Sequence, residues 1–192
     1  EIAILAPKNS DVEKAAAALR RNGIPCATEQ PGLLATPEAT LAMACLSRLN
    51  DPNDTLSTAK ILSLTDCTEP EVWIADRLRY LNAGGAPATW QEQETENTHP
   101  HPVLARISAL RTQLLLLSPC EALQNVIDEC DLPGVILRWS ANPDTGRSRL
   151  ANLEALLTAA KNYEDECRGE QVAGSLSGLI LWFAELAKEK ED

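Results

Sequence analysis

The chain has 192 residues, of which 44% are apolar, and a formal net charge of -11. That length allows one large core or two small ones, and the acidic balance excludes strong nucleic-acid binding by bulk charge, because phosphate contacts need concentrated Lys and Arg. Aromatic residues make up only 4% while Leu and Ala abound, so the expected class is mainly α, with helices packed through aliphatic side chains.

Residues 2–6 (Ile2, Ala3, Ile4, Leu5, Ala6) form a short apolar run of the kind a buried parallel strand shows. Ser10 and Glu13 make a capping box, and Val12, Ala15, Ala16 and Leu19 share one face of the helix it opens. Gly23 is placed as its left-handed C-cap, and residues 24–28 return as a second strand. Two strands and one helix cannot stand as an independent domain, so the chain is expected to be a piece of something larger.

Gln30, Pro31 and Gly32 mark a turn, and Thr36 with Pro37 opens a helix whose buried stripe is Leu41, Cys45, Leu46 and Leu49. Asp54 is placed to cap a short helix carrying Leu56, Ala59 and Leu62. Thr68 with Glu71 starts another, through Val72, Ala75, Leu78 and Leu81, which ends at Gly84 and Gly85. Residues 83–102 are polar and rich in Gly, Pro, Glu and Thr, with Trp90 as their one large apolar group, and read as a loop.

Leu104, Ile107, Leu110, Leu114 and Leu117 predict a helix of about four turns. Ser118, Pro119 and Glu121 combine a capping box with proline at the first helical position. Asp131, Leu132, Pro133 and Gly134 read as a break, followed by a short apolar segment to Trp139 and a turn at Asn142 and Pro143. Two long helices are predicted last, over residues 147–167, striped by Leu150, Leu153, Leu156, Leu157, Ala160 and Tyr163, and over about residues 175–190.

No apolar run approaches the roughly 18 residues of a membrane span, and the first residues lack the pattern of a signal peptide. The expected location is the cytoplasm, with no membrane partner. The six cysteines (Cys26, Cys45, Cys67, Cys120, Cys130, Cys167) form no C-x-x-C pair. They are read as reduced, buried thiols in preference to a disulfide framework.

No phosphate-cradling G-x-x-x-x-G-K-[S/T] is present. His99 and His101 bracket a proline but lack the further ligands of a metal site, and are read as solvated loop residues. No nucleophile, base and acid stand at a family spacing, so no residue is assigned as catalytic or metal-binding. Arg138, Arg147 and Arg149 are a candidate basic patch around the Asn142 turn; the alternative is ordinary surface arginines, with Arg149 pairing to a helix end.

Three stretches carry a family resemblance. Ile2, Ala3, Ile4 and Leu5, then Asn9, an alanine-rich helix and Gly23, Ile24, Pro25 form the first. Residues 32–38 (GLLATPE) and 49–56 (LNDPNDTL) form the second, and Arg149, Asn152, Leu153 and Leu156, followed by Tyr163 and Trp182, the third. In that order and spacing they resemble superfamily 1 DNA helicases of the UvrD/Rep/RecB type, and RecB- or AddA-like members in particular.

The resemblance implies that residues 1–29 are part of a RecA-like motor domain (2A), as a strand-helix-strand remnant. Residues 30–192 would be a helical insertion domain (2B-like), with a polar loop at about 83–102. It implies a non-catalytic accessory segment of an ATP-dependent, 3'-to-5' DNA helicase, or helicase-nuclease, acting in repair or recombination. ATP and Mg would bind the parent's motor and no cofactor this segment. DNA would be a partner through the parent.

The family's Tyr-Arg pair is Ala6 and Pro7 here, which leaves Lys8 and Asn9 as the candidate DNA contacts. A plain strand-to-helix turn is the other reading of those two residues. The family's duplex-binding G-I-G turn has no counterpart near residues 63–69. A second function class therefore stands beside the first: a helical protein-interaction module that docks a nuclease or recombination subunit without touching DNA.

Overall fold

Proline at the first or second helical position begins most of the helices, where its missing N–H costs no intrahelical bond and its fixed φ suits the first turn. In the computed structural model, residues 32–66, 69–92 and 100–188 are described, together with 15, 18, 19, 21 and 22. The chain divides into two compact units, Glu1–Pro31 and Gly32–Asp192. In the first, the described residues are a helical segment in which the Asn22 N–H donates to Ala18 O at 3.3 Å. The strands expected at residues 2–6 and 24–28 lie outside the described residues.

The second unit is mainly α, and no strand occurs among the described residues. Its helices are α1 (Pro37–Asn50), α2 (Thr55–Asp66), α3 (Pro70–Asn82), α4 (Pro102–Leu110), α5 (Pro119–Glu129), α6 (Leu132–Arg138), α7 (Pro143–Gly169) and α8 (Leu176–Lys188). Tight 3-10 turns lie at Leu33–Ala35, Pro87–Thr89 and Arg111–Leu116.

Caps fix where these helices begin. Thr36 Oγ1 accepts from Ala39 N, Asp54 Oδ1 from Ser57 N at 2.9 Å, and Asn142 Oδ1 from Thr145 N at 2.9 Å. At α5 the box is reciprocal: Glu121 N donates to Ser118 Oγ at 3.3 Å and Ser118 N to Glu121 Oε2 at 2.8 Å. Ser118→Ala is expected to lower the unfolding free energy by about 1 kcal/mol, read as a shifted urea midpoint at unchanged slope.

α1 is the hub, packed against α2, α4, α5, α7 and α8. Leu41, Cys45, Leu46 and Leu49 are buried as predicted, and so are Ala39, Ala42 and Ala44 on its other sides. The alanines let neighbouring helices approach closely, so α1 is enclosed instead of presenting a single stripe.

Four local expectations are corrected. The segment after Asp131 is helical (α6), because Asp131 adopts the left-handed conformation (φ 50°) and its carboxylate accepts from Gly134 N at 3.2 Å. A Cβ on Gly134 would sit 2.3 Å from Asp131 Oδ2, so glycine there permits the cap. The predicted four-turn helix becomes α4 plus the 3-10 stretch from Arg111, which leaves Leu115 and Leu116 exposed at 99% and 84%. On α2, Leu56 is exposed while Ser57 and Thr58 turn inward on bonds to Asp54. On α3, Val72 and Leu78 face solvent, because the helix docks through Trp73, Asp76, Arg77 and Tyr80 instead.

Cys45, Cys120, Cys130 and Cys167 are free thiols, all buried except the half-buried Cys120. No helix among the described residues is long and apolar enough to cross a membrane.

Candidate functional site

Two buried polar clusters tie distant parts of the helical unit together. The first forms where the start of α1 meets α7. Glu38, in the first turn of α1 and 3% exposed, accepts a hydrogen bond from Asn152 Nδ2 on Oε1, while Arg149 Nη1 lies 3.6 Å from its Oε2. Arg149 also lies over the Trp139 ring, 5.9 Å from its centroid. The carboxylate is well placed on α1 itself, since a negative charge in a first turn opposes the positive end of the helix dipole.

The second cluster sits at the far end of α1. Arg48 is fully buried, and its Nη2 donates to Ala88 O at 2.8 Å and pairs with Glu92 Oε1 at 2.9 Å. Arg111 forks onto the same carboxylate, Nη1 to Oε2 and Nη2 to Oε1, both at 2.8 Å, and donates to Arg48 O at 2.9 Å. Among the described residues two guanidiniums therefore share one acid, and Arg48 Nε, Arg48 Nη1 and Arg111 Nε have no acceptor. Burial pulls the Arg48 guanidinium below its ordinary value, and Glu92 opposes that shift more than any other neighbour.

The segment read as a polar loop is anchored by this cluster. Trp90 is 1% exposed, its Nε1 donates to Asp76 Oδ2 at 3.0 Å, and its ring centroid is 6.4 Å from that of Trp73. His101, read as solvated, is 8% exposed, and its Nε2 lies 3.1 Å from Thr65 Oγ1 and 3.2 Å from Asp66 Oδ1. The Thr65 hydroxyl already donates to Ile61 O, so the ring nitrogen donates to it. His99 lies outside the described residues.

Of the residues predicted to touch DNA, Lys8 and Asn9 lie outside the described residues. The three arginines of the candidate patch are disposed differently. Arg138 is exposed near the end of α6, Arg147 is exposed and pairs with Asp144, and Arg149 turns inward to Glu38. Two of the three positive charges thus have an acid beside them.

A cavity of about 340 Å³ opens between the Leu33–Ala35 turn, Ala159 of α7 and Phe183 and Leu186 of α8. Among the described residues its lining carries no titratable side chain. Among the described residues no group of three or more His, Cys, Asp or Glu could hold a metal ion. Cys45 and Cys130 are poor nucleophiles: burial pushes Cys130 up to about 12 and raises Cys45 well above its ordinary value.

The site residues that sequence reasoning missed are Glu38, Arg48, Glu92 and Arg111. Two of them left a trace: Glu38 ends the stretch at residues 32–38, and Arg48 is a charge between Leu46 and Leu49 of an apolar stripe. Comparison of the chain with protein-family models, with curated proteins and with solved structures finds no match.

Proposed function

We propose that the unit Gly32–Asp192 is a 2B-like, non-catalytic accessory domain of an ATP-dependent 3'-to-5' DNA helicase of the RecB or AddA kind, acting in repair or recombination. The observation that supports this reading is the Glu38 cluster. Glu38 closes the stretch at residues 32–38, Arg149 and Asn152 open the third stretch of the resemblance, and these two stretches meet side chain to side chain. Tyr163 and Trp182, of the same resemblance, also pack together, with ring centroids 5.9 Å apart.

In this reading ATP and Mg act in the parent's motor, and the helical domain guides DNA or restrains the motor by rotating against it. Absence of DNA-stimulated ATP hydrolysis by the full-length parent would overturn it.

Within that role, docking of a nuclease or recombination subunit is favoured over direct DNA contact by this domain. The net charge of -11 and the acids beside Arg147 and Arg149 weaken a phosphate-binding face. Leu115, Leu116, Val72 and Leu78 leave apolar surface uncovered. Titration of the chain with forked DNA at low and at moderate salt is expected to give no salt-sensitive binding. A complex that weakens steeply with salt would restore DNA guidance as the better account.

A further inference from the structure

We propose that α3 and the strap that follows it, residues 69–92, open from the helical body as a single flap, and that Glu92 is the latch that holds the flap shut. None of residues 71–82 is fully buried, and of the apolar side chains of α3 it is the partly buried Trp73 and Tyr80 that pack against the core, while Val72, Ile74 and Leu78 are exposed. The strongest ties of α3 run to its own strap. Asp76 Oδ2 accepts from Trp90 Nε1 and, at 2.7 Å, from Gln91 Nε2, and the Tyr80 and Thr89 hydroxyls are 2.6 Å apart. Arg77 lies over Trp90 at 5.8 Å. Gly84, at φ 88°, turns the chain back so that these partners meet.

Among the described residues the flap is tied to the body by a small set of polar contacts and by the rings of Trp73, Tyr80 and Trp90. Trp73 Nε1 donates to Ser63 Oγ at 3.2 Å, Arg48 reaches Ala88 O, and His101 N donates to Gln91 O at 2.8 Å. Trp90 inserts into the core, and Glu92 is clasped by Arg48 and Arg111. Arg48 and Arg111 belong to the body, on α1 and at the end of α4, whereas Glu92 belongs to the strap. It is the one acid seen pairing with them among the described residues.

Segments with few buried apolar contacts open below the cost of global unfolding. The charge balance makes Glu92 decisive for this one: without it the two guanidiniums keep no paired acid among the described residues, and the shut arrangement loses its strongest attraction. An open flap would present Trp90 and both guanidiniums to solvent.

The test is native-state amide hydrogen exchange on the full chain in rising, sub-denaturing urea. In the wild type, amides of residues 71–92 are expected to exchange through one shared opening with a smaller urea dependence than those of α1 and α5. In Glu92→Gln they should exchange at least about tenfold faster, while α5 and α7 keep their rates. The proposal is overturned if wild-type residues 71–92 follow the same urea dependence as α1, a result that needs no variant to fold. It is overturned equally if Glu92→Gln accelerates α1, α5 and the flap alike.

Discussion

Leu46→Ala is expected to cost about 3–5 kcal/mol of stability, the upper range for a buried leucine truncated in a core that cannot collapse around the gap. Leu46 is 0% exposed at the middle of α1, the helix on which five others rest. Relaxation is blocked because Ala42, Cys45 and Leu49 around it are themselves 0–1% exposed. A domain of this size has roughly 5–15 kcal/mol in all, so the loss would be a large share of its stability. Urea unfolding measures it as a lower midpoint at constant slope. A change below about 1 kcal/mol would mean that α1 is not the enclosed hub its burial indicates.

Glu38→Ala is expected to cost about 2–3 kcal/mol, because it removes the acceptor of Asn152 and the acid beside Arg149 in one step. The ion pair contributes the smaller part: Arg149 is 29% exposed and 3.6 Å away, so solvent screens it. Glu38→Gln separates the two, since its carbonyl oxygen still accepts from Asn152. It should retain more than half of the stability that the alanine variant loses. Equal losses in the two variants, measured by the same urea titration, would assign the effect to charge instead of to the hydrogen bond.

Much of the helical framework was legible in the sequence. Pro37 behind Thr36 and Pro119 behind Ser118 with Glu121 after it mark helix starts that the structure keeps, whereas Asn142 and Pro143, read as a turn, cap a helix that begins ahead of the expected residue 147. Each signal acts within four residues, so it depends little on the rest of the chain. The stripes of α1 and α7 were legible for the same reason, at Leu41, Cys45, Leu46 and Leu49 and at Leu153, Leu156, Ala160 and Tyr163. The break read at Asp131 to Gly134 does end α5, and the segment after it is helical because Pro133 is compatible with a first turn that Asp131 caps.

Faces were less legible than helices. Val72 and Leu78 make a sound apolar stripe by spacing, yet the structure turns the other side of α3 inward, where Trp73 and Asp76 find partners. Leu56 is exposed because the Asp54 cap turns Ser57 and Thr58 toward the body. The polar composition of residues 83–92 concealed a strap whose Trp90 and Glu92 are among the more deeply placed groups in the fold.

The sequence by itself determined that this protein is mainly helical and where most of its helices start, since caps, prolines and a 3.6-residue period are local and do not wait for packing. Tertiary structure alone decided which polar groups would be buried. Arg48 finds Ala88 O 40 residues away, Arg111 finds Arg48 O across 63, and Asn152 finds Glu38 across 114. A buried charge is tolerable only beside its partner, and no spacing along the chain announces a partner that the fold brings from so far.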